Sequence, residues 1–204
     1  MTADRPLRIA IATTGRFHVL DLARELAAMG HLVTFYSYVP KRRAIAYGLP
    51  ADCHVSLLDA AAICIAWKRV LPRFAQALRK RLLFRSLNAA VRRRLSGIDV
   101  FICMSGVYVE AARAAQEQHG ALVVLERGSM HIDAQRRILA GGSRLPLGFE
   151  QTAARERAGY RLADRISVPS LHAANSFTAD HTCADKVMVI PYGVDLNMFP
   201  APAT

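Results

Sequence analysis

The sequence predicts an α/β fold in which a doubly wound, mostly parallel, Rossmann-like sheet carries helices on both faces. Three observations support this prediction. Short apolar segments recur along the chain, segments with apolar residues at helical spacing separate them, and the links between the two are short. Strands connected through a helix pair in parallel, and strands covered on both faces read as continuous apolar runs.

Length and composition favour a single domain. With 204 residues, 52% of them hydrophobic, the chain can bury one full core. No run reaches the roughly 18 consecutive apolar residues of a membrane-spanning helix, and the first residues do not form a secretory signal. The four cysteines form no C-x-x-C pair, which favours buried free thiols in a reducing compartment over a zinc site. We therefore expect a cytoplasmic protein without a metal.

The first predicted strand, Leu7–Ala12, leads into a turn at Gly15, then a helix, then a second strand at Leu32–Val39. The turn has one glycine instead of G-x-G-x-x-G, and no acidic residue ends the second strand. Both departures disfavour a nicotinamide-dependent oxidoreductase. Gly15 either only closes the turn or lets a ligand approach, with Arg16 and His18 as its contacts.

Two further strands follow in the first half of the chain. Lys41–Asp52 is predicted to be a polar connection, and Cys53–Leu58 to be the third strand. Val100–Cys103 is the fourth, and Ser105 and Gly106 lie directly after it. Because the carboxyl ends of parallel strands meet at one edge of a sheet, these two residues should face the same crevice as the first turn.

Ala121–Leu125 is an unbroken apolar run, typical of a strand buried on both faces. The chain then becomes polar at Glu126, Arg127, Gly128, Ser129 and His131. A buried strand thus delivers a cluster of reactive side chains to the edge where ligands bind in α/β sheets. Two structural alternatives remain open: Arg127 pairs with Glu126, or His131 begins a helix.

The rest of the chain continues the alternation. A helix is predicted from His131 to Leu139, ending at two glycines, and another over Glu150–Ala163. The loop Ser143–Gly148 between them is expected to border the acceptor side of the crevice. Short strands are predicted at Arg165–Val168 and Val187–Ile190.

Positive charge is concentrated in one region. Residues 60–98 contain ten basic residues and no acidic one, which accounts for nearly all of the formal net charge of +11. A basic helix over 68–94 is predicted there, with Trp67 just before it. It is either a solvated face or a surface that binds an anionic membrane, since Trp, Phe and Leu alternate with Arg and Lys. Nucleic-acid binding is disfavoured because no recognition fold accompanies the charge.

Five segments occur in an order that is typical of one enzyme family. They are G-R-F-H at Gly15–His18, D-L-A-R-E-L at Asp21–Leu26, E-R-G-S-M-H at Glu126–His131, A-D-R-I-S-V-P-S at Ala163–Ser170 and K-V-M-V-I-P-Y-G-V-D-L-N-M-F at Lys186–Phe199. Together they resemble the N-terminal domain of glycosyltransferase family 4, retaining enzymes of the GT-B architecture. The resemblance spans nearly the whole chain.

The resemblance implies one half of a two-domain enzyme. Residues 1–192 would form the N-terminal, acceptor-side domain, and 193–204 the start of the linker to a C-terminal domain that binds the nucleotide-sugar donor. Without that domain the chain is expected to be inactive. The acceptor would be a glycolipid, a polysaccharide or a small molecule, no cofactor or metal is expected, and the enzyme could attach to the inner face of the plasma membrane. The alternative is a non-catalytic module of the same fold that pairs with a separate donor-binding chain.

The resemblance also implies roles for particular residues. The transferred sugar would be oriented by His131 or Arg127, with Glu126 as a rival. In such enzymes the leaving phosphate takes the acceptor's proton, so side chains position and stabilise charge. The residues expected at the acceptor are Gly15, Arg16, Phe17, His18, Ser105, Gly106 and Ser129. Those expected at the interdomain hinge are Tyr192, Gly193 and Asp195.

Overall fold

A computed structural model describes residues 5–67, 75–142, 145–180 and 183–193. Its centre is a sheet of parallel strands in the order β3-β2-β1-β4-β5-β6-β7. The strands are β1 (Arg8–Ala12), β2 (Leu32–Ser37), β3 (His54–Ser56), β4 (Val100–Met104), β5 (Leu122–Glu126), β6 (Arg165–Val168) and β7 (Val187–Val189). Every pair of neighbouring strands in this sheet is parallel, as the sequence predicts.

Helices alternate with these strands. They are α1 (Phe17–Ala28), α2 (Lys41–Ala46), α3 (Leu58–Trp67), α4 (Gln76–Arg92), α5 (Val109–His119), α6 (Ile132–Gly142), α7 (Phe149–Leu162) and α8 (Leu171–Asn175), with a 3-10 turn at Ala184–Lys186. Because a helix lies between each pair of consecutive strands, the connections are long enough for the strands to pair in parallel.

The sheet separates two apolar cores. Successive side chains of a strand point to opposite faces, so Ile9 and Ile11 of β1 pack into one core and Ala10 and Ala12 into the other. The first core also contains buried residues of α1 and α2. The second and larger one takes residues from α3, α4, α5, α7 and α8. Helices on both faces confirm the doubly wound prediction. The four cysteines are buried and form no disulfide bond.

The predicted polar connection Lys41–Asp52 is partly wrong, because α2 forms at its start. Pro40 precedes this helix, and its carbonyl accepts the N–H groups of Arg43 and Ala44. Six residues are too few to show a helical period in the sequence. The predicted third strand was also too long, since Leu58 already begins α3.

The predicted basic helix 68–94 is present as α4 over the residues that the structure describes. The apolar α3 ends at Trp67, and α4 begins at Gln76; residues 68–74 of the predicted helix 68–94 lie outside the described part of the chain. The helix α4 buries Leu83, Leu87 and Val91 and exposes Arg81, Arg85 and Arg92. No helix in the described part of the chain is both long enough and apolar enough to span a bilayer.

The end of α6 also differs from the prediction. The helix continues through Gly141 and Gly142 instead of ending before them. Of the loop predicted at Ser143–Gly148, Ser143 and Arg144 lie outside the described residues. The following helix α7 starts at Phe149, one residue from its predicted position.

Candidate functional site

The expected ligand-binding crevice would lie at the carboxyl edge of the sheet, between β1 and β4. Strand β1 pairs with β2 on one side and with β4 on the other, so the order of strands reverses at this point. In open parallel sheets, ligands bind outside the carboxyl ends of the strands at such a reversal. The segments that follow β1, β4 and β5 carry most of the predicted site residues.

His18 and Glu126 meet at this edge, although 108 positions separate them in the chain. His18 lies in the first turn of α1, and Glu126 is the last residue of β5. The Nε2–H of His18 donates to Glu126 Oε2 over 2.8 Å. The His18 side chain is 25% exposed and that of Glu126 only 7%, so the imidazole faces outward with the carboxylate behind it. The carboxylate thereby fixes the orientation of the ring.

Tyr192 closes one side of this pair. Its ring stacks on that of His18, with centroids 4.2 Å apart and planes inclined by 35°. Burial and the nearby charge of Glu126 raise the pKa of the Tyr192 phenol. A Cβ at Gly128 would lie 2.7 Å from the tyrosine hydroxyl, so the glycine makes room for it. The residue predicted at the hinge thus lies against the histidine.

Hydrogen bonds hold the loop after β1 in place. The hydroxyl of the fully buried Tyr108 donates to the carbonyl of Thr13 over 2.8 Å, and Thr13 Oγ1 accepts the N–H of Gly15 over 3.4 Å. Phe17 has φ of +36°, a conformation that bulky residues rarely adopt. Its ring covers Gly15 and is half exposed. Unusual backbone of this kind clusters at functional sites.

Arg16 follows the same strand but points away from the pair. Its guanidinium lies 4.1 Å from the ring centroid of Tyr47, the residue after α2, and the side chain is exposed. It stays available to a ligand at the outer rim of the edge.

Ser105 and Gly106 lie where β4 ends, as predicted. The N–H of Ser105 donates to the carbonyl of Glu126 over 3.0 Å, so the loop is tied to the end of β5. Gly106 has φ of +69°, and a Cβ there would lie 2.7 Å from an oxygen of Glu156. Only glycine meets both requirements.

Arg127 lies beneath the crevice instead of lining it. Its side chain is 9% exposed, and Nη1 donates to Glu156 Oε1 over 2.8 Å. It also donates to the carbonyl of Met130, to Gln135 and to Ser105. Pairing with Glu126, one of the alternatives raised by the sequence, is not what forms; the partner is Glu156 of α7.

Glu156 is a functional residue that sequence reasoning missed. It lies 29 positions from its arginine, in a helix with no motif. The feature that could have identified it is its position between Ala153 and Tyr160, on the buried face of α7. A carboxylate on an apolar face needs a cation within the protein. Its Oε2 is buried without a hydrogen-bond partner among the described residues.

His131 stands one residue before α6 and is buried. Its Nδ1 accepts the N–H of Asp133 over 3.1 Å, its backbone N–H donates to Ser176 Oγ, and Nε2 lies 3.3 Å from Asp180. Burial lowers the pKa of the His131 imidazole, although the charges of Asp133 and Asp180 oppose that shift. In these contacts the residue begins a helix, the structural alternative that the sequence left open.

One group of described residues has the donor atoms of a metal site. His131, Asp180 and Cys183 bring a nitrogen, an oxygen and a sulfur within 4.8 Å of one another. The hydrogen bond that Nδ1 of His131 accepts places the ring proton on Nε2, which faces Asp180. In this state the imidazole offers no free lone pair to a metal.

The remaining predicted residues lie at the margins. Ser129 Oγ accepts the side-chain N–H of Gln135 over 2.9 Å, which ties the loop after β5 to α6. Gly193 is exposed, and a Cβ there would meet no atom of the described residues within 4 Å. Asp195 lies outside the described residues, as do residues 194–204 of the linker predicted at 193–204.

The sheet and its helices have the fold of one half of the GT-B architecture. A sucrose-phosphate synthase from Thermosynechococcus elongatus matches with a TM-score of 0.64 at 15% identity, covering 94% of this chain and 49% of that one. Phytolacca americana apo UGT2 matches with a TM-score of 0.60 at 14% identity, covering 95% and 53%. Anabaena HepE, in complex with UDP and glucose, matches with a TM-score of 0.58 at 11% identity, covering 96% and 47%.

These likenesses show the fold alone, and the chain spans about half the length of the structures it matches. The family follows from sequence. The model of Glycosyltransferase Family 4 matches residues 16–198, and the chain belongs to that family. No curated protein matches the sequence. The family confirms the resemblance carried by the five segments.

Proposed function

We propose that this chain is the acceptor-side domain of a retaining hexosyltransferase that moves a sugar from a nucleotide-sugar donor to an acceptor. The observation that carries the proposal is the meeting of His18 and Glu126 at the strand reversal, 2.8 Å apart and open on the histidine side. Membership of the glycosyltransferase family supplies the reaction class. A glycolipid, a polysaccharide or a small molecule would serve as acceptor.

The donor would be held mainly by a second domain that these 204 residues do not include. The matching Phytolacca americana UGT2 has been solved with UDP-2fluoro-glucose, and Anabaena HepE with UDP and glucose, which supports a nucleotide sugar as the donor. This chain covers only about half of each of these two structures, which supports a second domain on the other side of the crevice. In this proposal the 204-residue chain alone transfers no sugar, and Gly193 and Asp195 belong to the hinge.

The side chains of the edge would act by positioning. The imidazole of His18, fixed by Glu126, would hold the acceptor hydroxyl near the reacting carbon, while the leaving phosphate takes the proton of that hydroxyl. Arg16, at the exposed rim, would contact the acceptor or the donor phosphate. No metal and no further cofactor takes part in the proposed reaction.

We also propose peripheral attachment to an anionic membrane, at its inner face. Ile63 and Trp67 on α3 and Leu78 on α4 are exposed large apolar side chains, next to the exposed Arg81 and Arg85. Apolar side chains interleaved with cations suit a lipid interface. Vesicles with anionic lipid should bind the protein in low salt and release it as salt rises; equal binding to neutral vesicles would contradict this.

The test of transfer uses the protein at its full natural length, with a panel of UDP and GDP sugars and with lipid extracts, oligosaccharides and small alcohols as acceptors. We expect transfer from one donor, with the anomeric configuration of the donor kept in the product when followed by NMR. An inverted product would refute retention. Absence of transfer with every donor, together with tight acceptor binding, would refute the enzyme.

That second outcome would establish the alternative, a non-catalytic module that pairs with a separate donor-binding chain. One observation favours it. All three candidate catalytic residues are buried; Arg127 and His131 are engaged in contacts within the domain, whereas Glu126 is bound to the 25% exposed His18. Only Glu126, through His18, then remains for chemistry.

A further inference from the structure

A second concave surface lies apart from the His18–Glu126 pair. It is a groove of about 1140 Å³ between α4 and α7, and the loop Pro146–Gly148 also lines it. Six cationic side chains line this groove and one carboxylate, Glu110. The cations are Arg79, Lys80, Arg81, Arg85, Arg92 and Arg155.

The carboxylate in the groove is already neutralised. Arg155 binds both oxygens of Glu110, over 2.6 and 2.7 Å, and holds the pKa of that carboxyl below its usual range against the opposing effect of burial. Lys80 Nζ donates only to the uncharged Thr152 Oγ1, over 3.0 Å. Arg81 and Arg85 are exposed and form no ion pair within the described ranges. The groove therefore holds an excess of positive charge without a counter-ion.

The floor and one end of the groove are apolar. The ring of Phe84 lies 5.5 Å from Lys80 Nζ and 5.4 Å from the guanidinium carbon of Arg155, so the cations surround an aromatic face. Phe149 and Leu147 extend this surface, and Leu147 is 79% exposed. A ligand that fits must combine an anionic group with an apolar portion.

The groove adjoins the crevice. Arg155 donates to the carbonyls of Gly106 and Val107, over 2.7 and 2.8 Å, in the loop after β4. The next residue, Glu156, pairs with Arg127 beneath the edge. A molecule lying in the groove would thus have one end next to the loop that borders the proposed acceptor site.

We propose that the groove binds the phosphate group and the adjoining acyl chain of an anionic lipid, which is the acceptor or carries it. This inference rests on the proposed function, since it names the acceptor class of that site. Lys80, Arg81 and Arg85 bind the phosphate, because ammonium and guanidinium groups pair strongly with phosphate oxygens. Phe84, Phe149 and Leu147 cover the chain. A free phosphate would leave that apolar surface uncovered.

The test is calorimetric titration of the full-length protein with monomeric dihexanoyl phosphatidic acid. Saturable binding is expected, at least about tenfold weaker in the double variant Arg81→Gln/Arg85→Gln because two charge-assisted contacts are lost. Arg42→Gln, on α2 and outside the groove, is the matched control and should bind as the unchanged protein does. Because all three arginines are exposed, thermal unfolding should be the same in each variant.

Several outcomes would overturn the inference. Equal binding by the double variant places the lipid elsewhere, and equal binding of dihexanoylglycerol shows that phosphate is not recognised. Inorganic phosphate that binds as tightly as the lipid identifies a free-anion site, and tighter binding of a short oligonucleotide identifies a nucleic-acid site. Transfer of sugar to other acceptors without lipid binding refutes this inference alone. Lipid binding without transfer to any acceptor refutes the proposed function alone.

Discussion

Two hydrogen-bonded pairs lie at the same edge of the sheet, and consecutive residues of β5 and its loop supply one member of each. Glu126 faces the crevice and holds His18, whereas Arg127 points into the protein and holds Glu156, both over 2.8 Å. Successive residues of an extended chain point to opposite sides, which explains the division. Solvent reaches the first pair through the side chain of His18, which is 25% exposed, whereas both side chains of the second pair are buried. Position relative to the sheet, more than residue type, therefore separates a group that can meet substrate from one that supports the loop.

The largest effect is expected on the buried pair of Arg127 and Glu156. Arg127→Met leaves the carboxylate of Glu156 buried without its cation and should lower the free energy of unfolding by about 3–5 kcal/mol. Urea unfolding followed by circular dichroism measures it. The double variant Arg127→Met/Glu156→Leu should regain much of the loss, since no buried charge remains. A loss below about 1 kcal/mol in the single variant would show that Arg127 is not held as a buried ion pair.

For the pair of His18 and Glu126 we expect a large effect on transfer and a small effect on stability. His18→Gln should reduce transfer by the full-length enzyme about 100-fold or more, because the group that positions the acceptor is lost. The free energy of unfolding should change by less than about 1 kcal/mol, since the pair is partly exposed. Initial rates with radiolabelled donor measure the first effect. His172→Gln, an exposed histidine on α8, is the control; if it lowers the rate equally, His18 has no special role.

A smaller effect is expected from His131, which is also buried. Burial holds its pKa below the ordinary value of 6.5, so the unfolded chain binds the proton more readily than the folded one. Stability from this group is complete above pH 6.5 and is lost as the pH falls towards the lowered folded pKa. His131→Asn, which keeps a side chain able to begin a helix, should flatten this decline.

Urea titrations at pH 7.5, 6.0 and 5.0 give the slope of the free energy of unfolding against pH. This slope is compared between the unchanged protein and His131→Asn. His54 is also buried with a lowered pKa, so part of the decline should persist in the variant. An unchanged slope in His131→Asn would mean that the pKa of this imidazole is the same in the folded and the unfolded chain.

The sequence could predict the fold and the edge, because both depend on local pattern. Apolar runs such as Ala121–Leu125 mark strands, and parallel pairing then brings their carboxyl ends together. It could not predict α2, since the six residues from Lys41 give no period, and it placed Leu58 in a strand because an apolar residue at a boundary suits either element.

The contacts within the site depend on long-range geometry and were beyond the sequence. The motif E-R-G-S-M-H presents Glu126 and Arg127 as neighbours, and their partners lie 108 and 29 positions away. Tyr192 was predicted at a hinge and lies on His18, a contact that needs β7 to be placed beside β6. Which of two adjacent polar residues faces a crevice is set by the strand register, which no motif states.

The smallest effect is expected from substitution of Arg16. This substitution tests whether the ligand-binding surface extends from His18 to the outer rim of the edge. Its stacking on Tyr47 is exposed and contributes only about 0.5–1 kcal/mol, so Arg16→Gln should hardly alter stability. If the guanidinium meets the donor phosphate or the acceptor, the variant should raise KM about tenfold with kcat nearly unchanged, because binding in the ground and transition states is lost alike. Tyr47→Leu removes the stacking and leaves the charge, so it should change KM far less. A KM that rises equally in both variants would mean that the stacked geometry, and not the charge itself, serves the ligand.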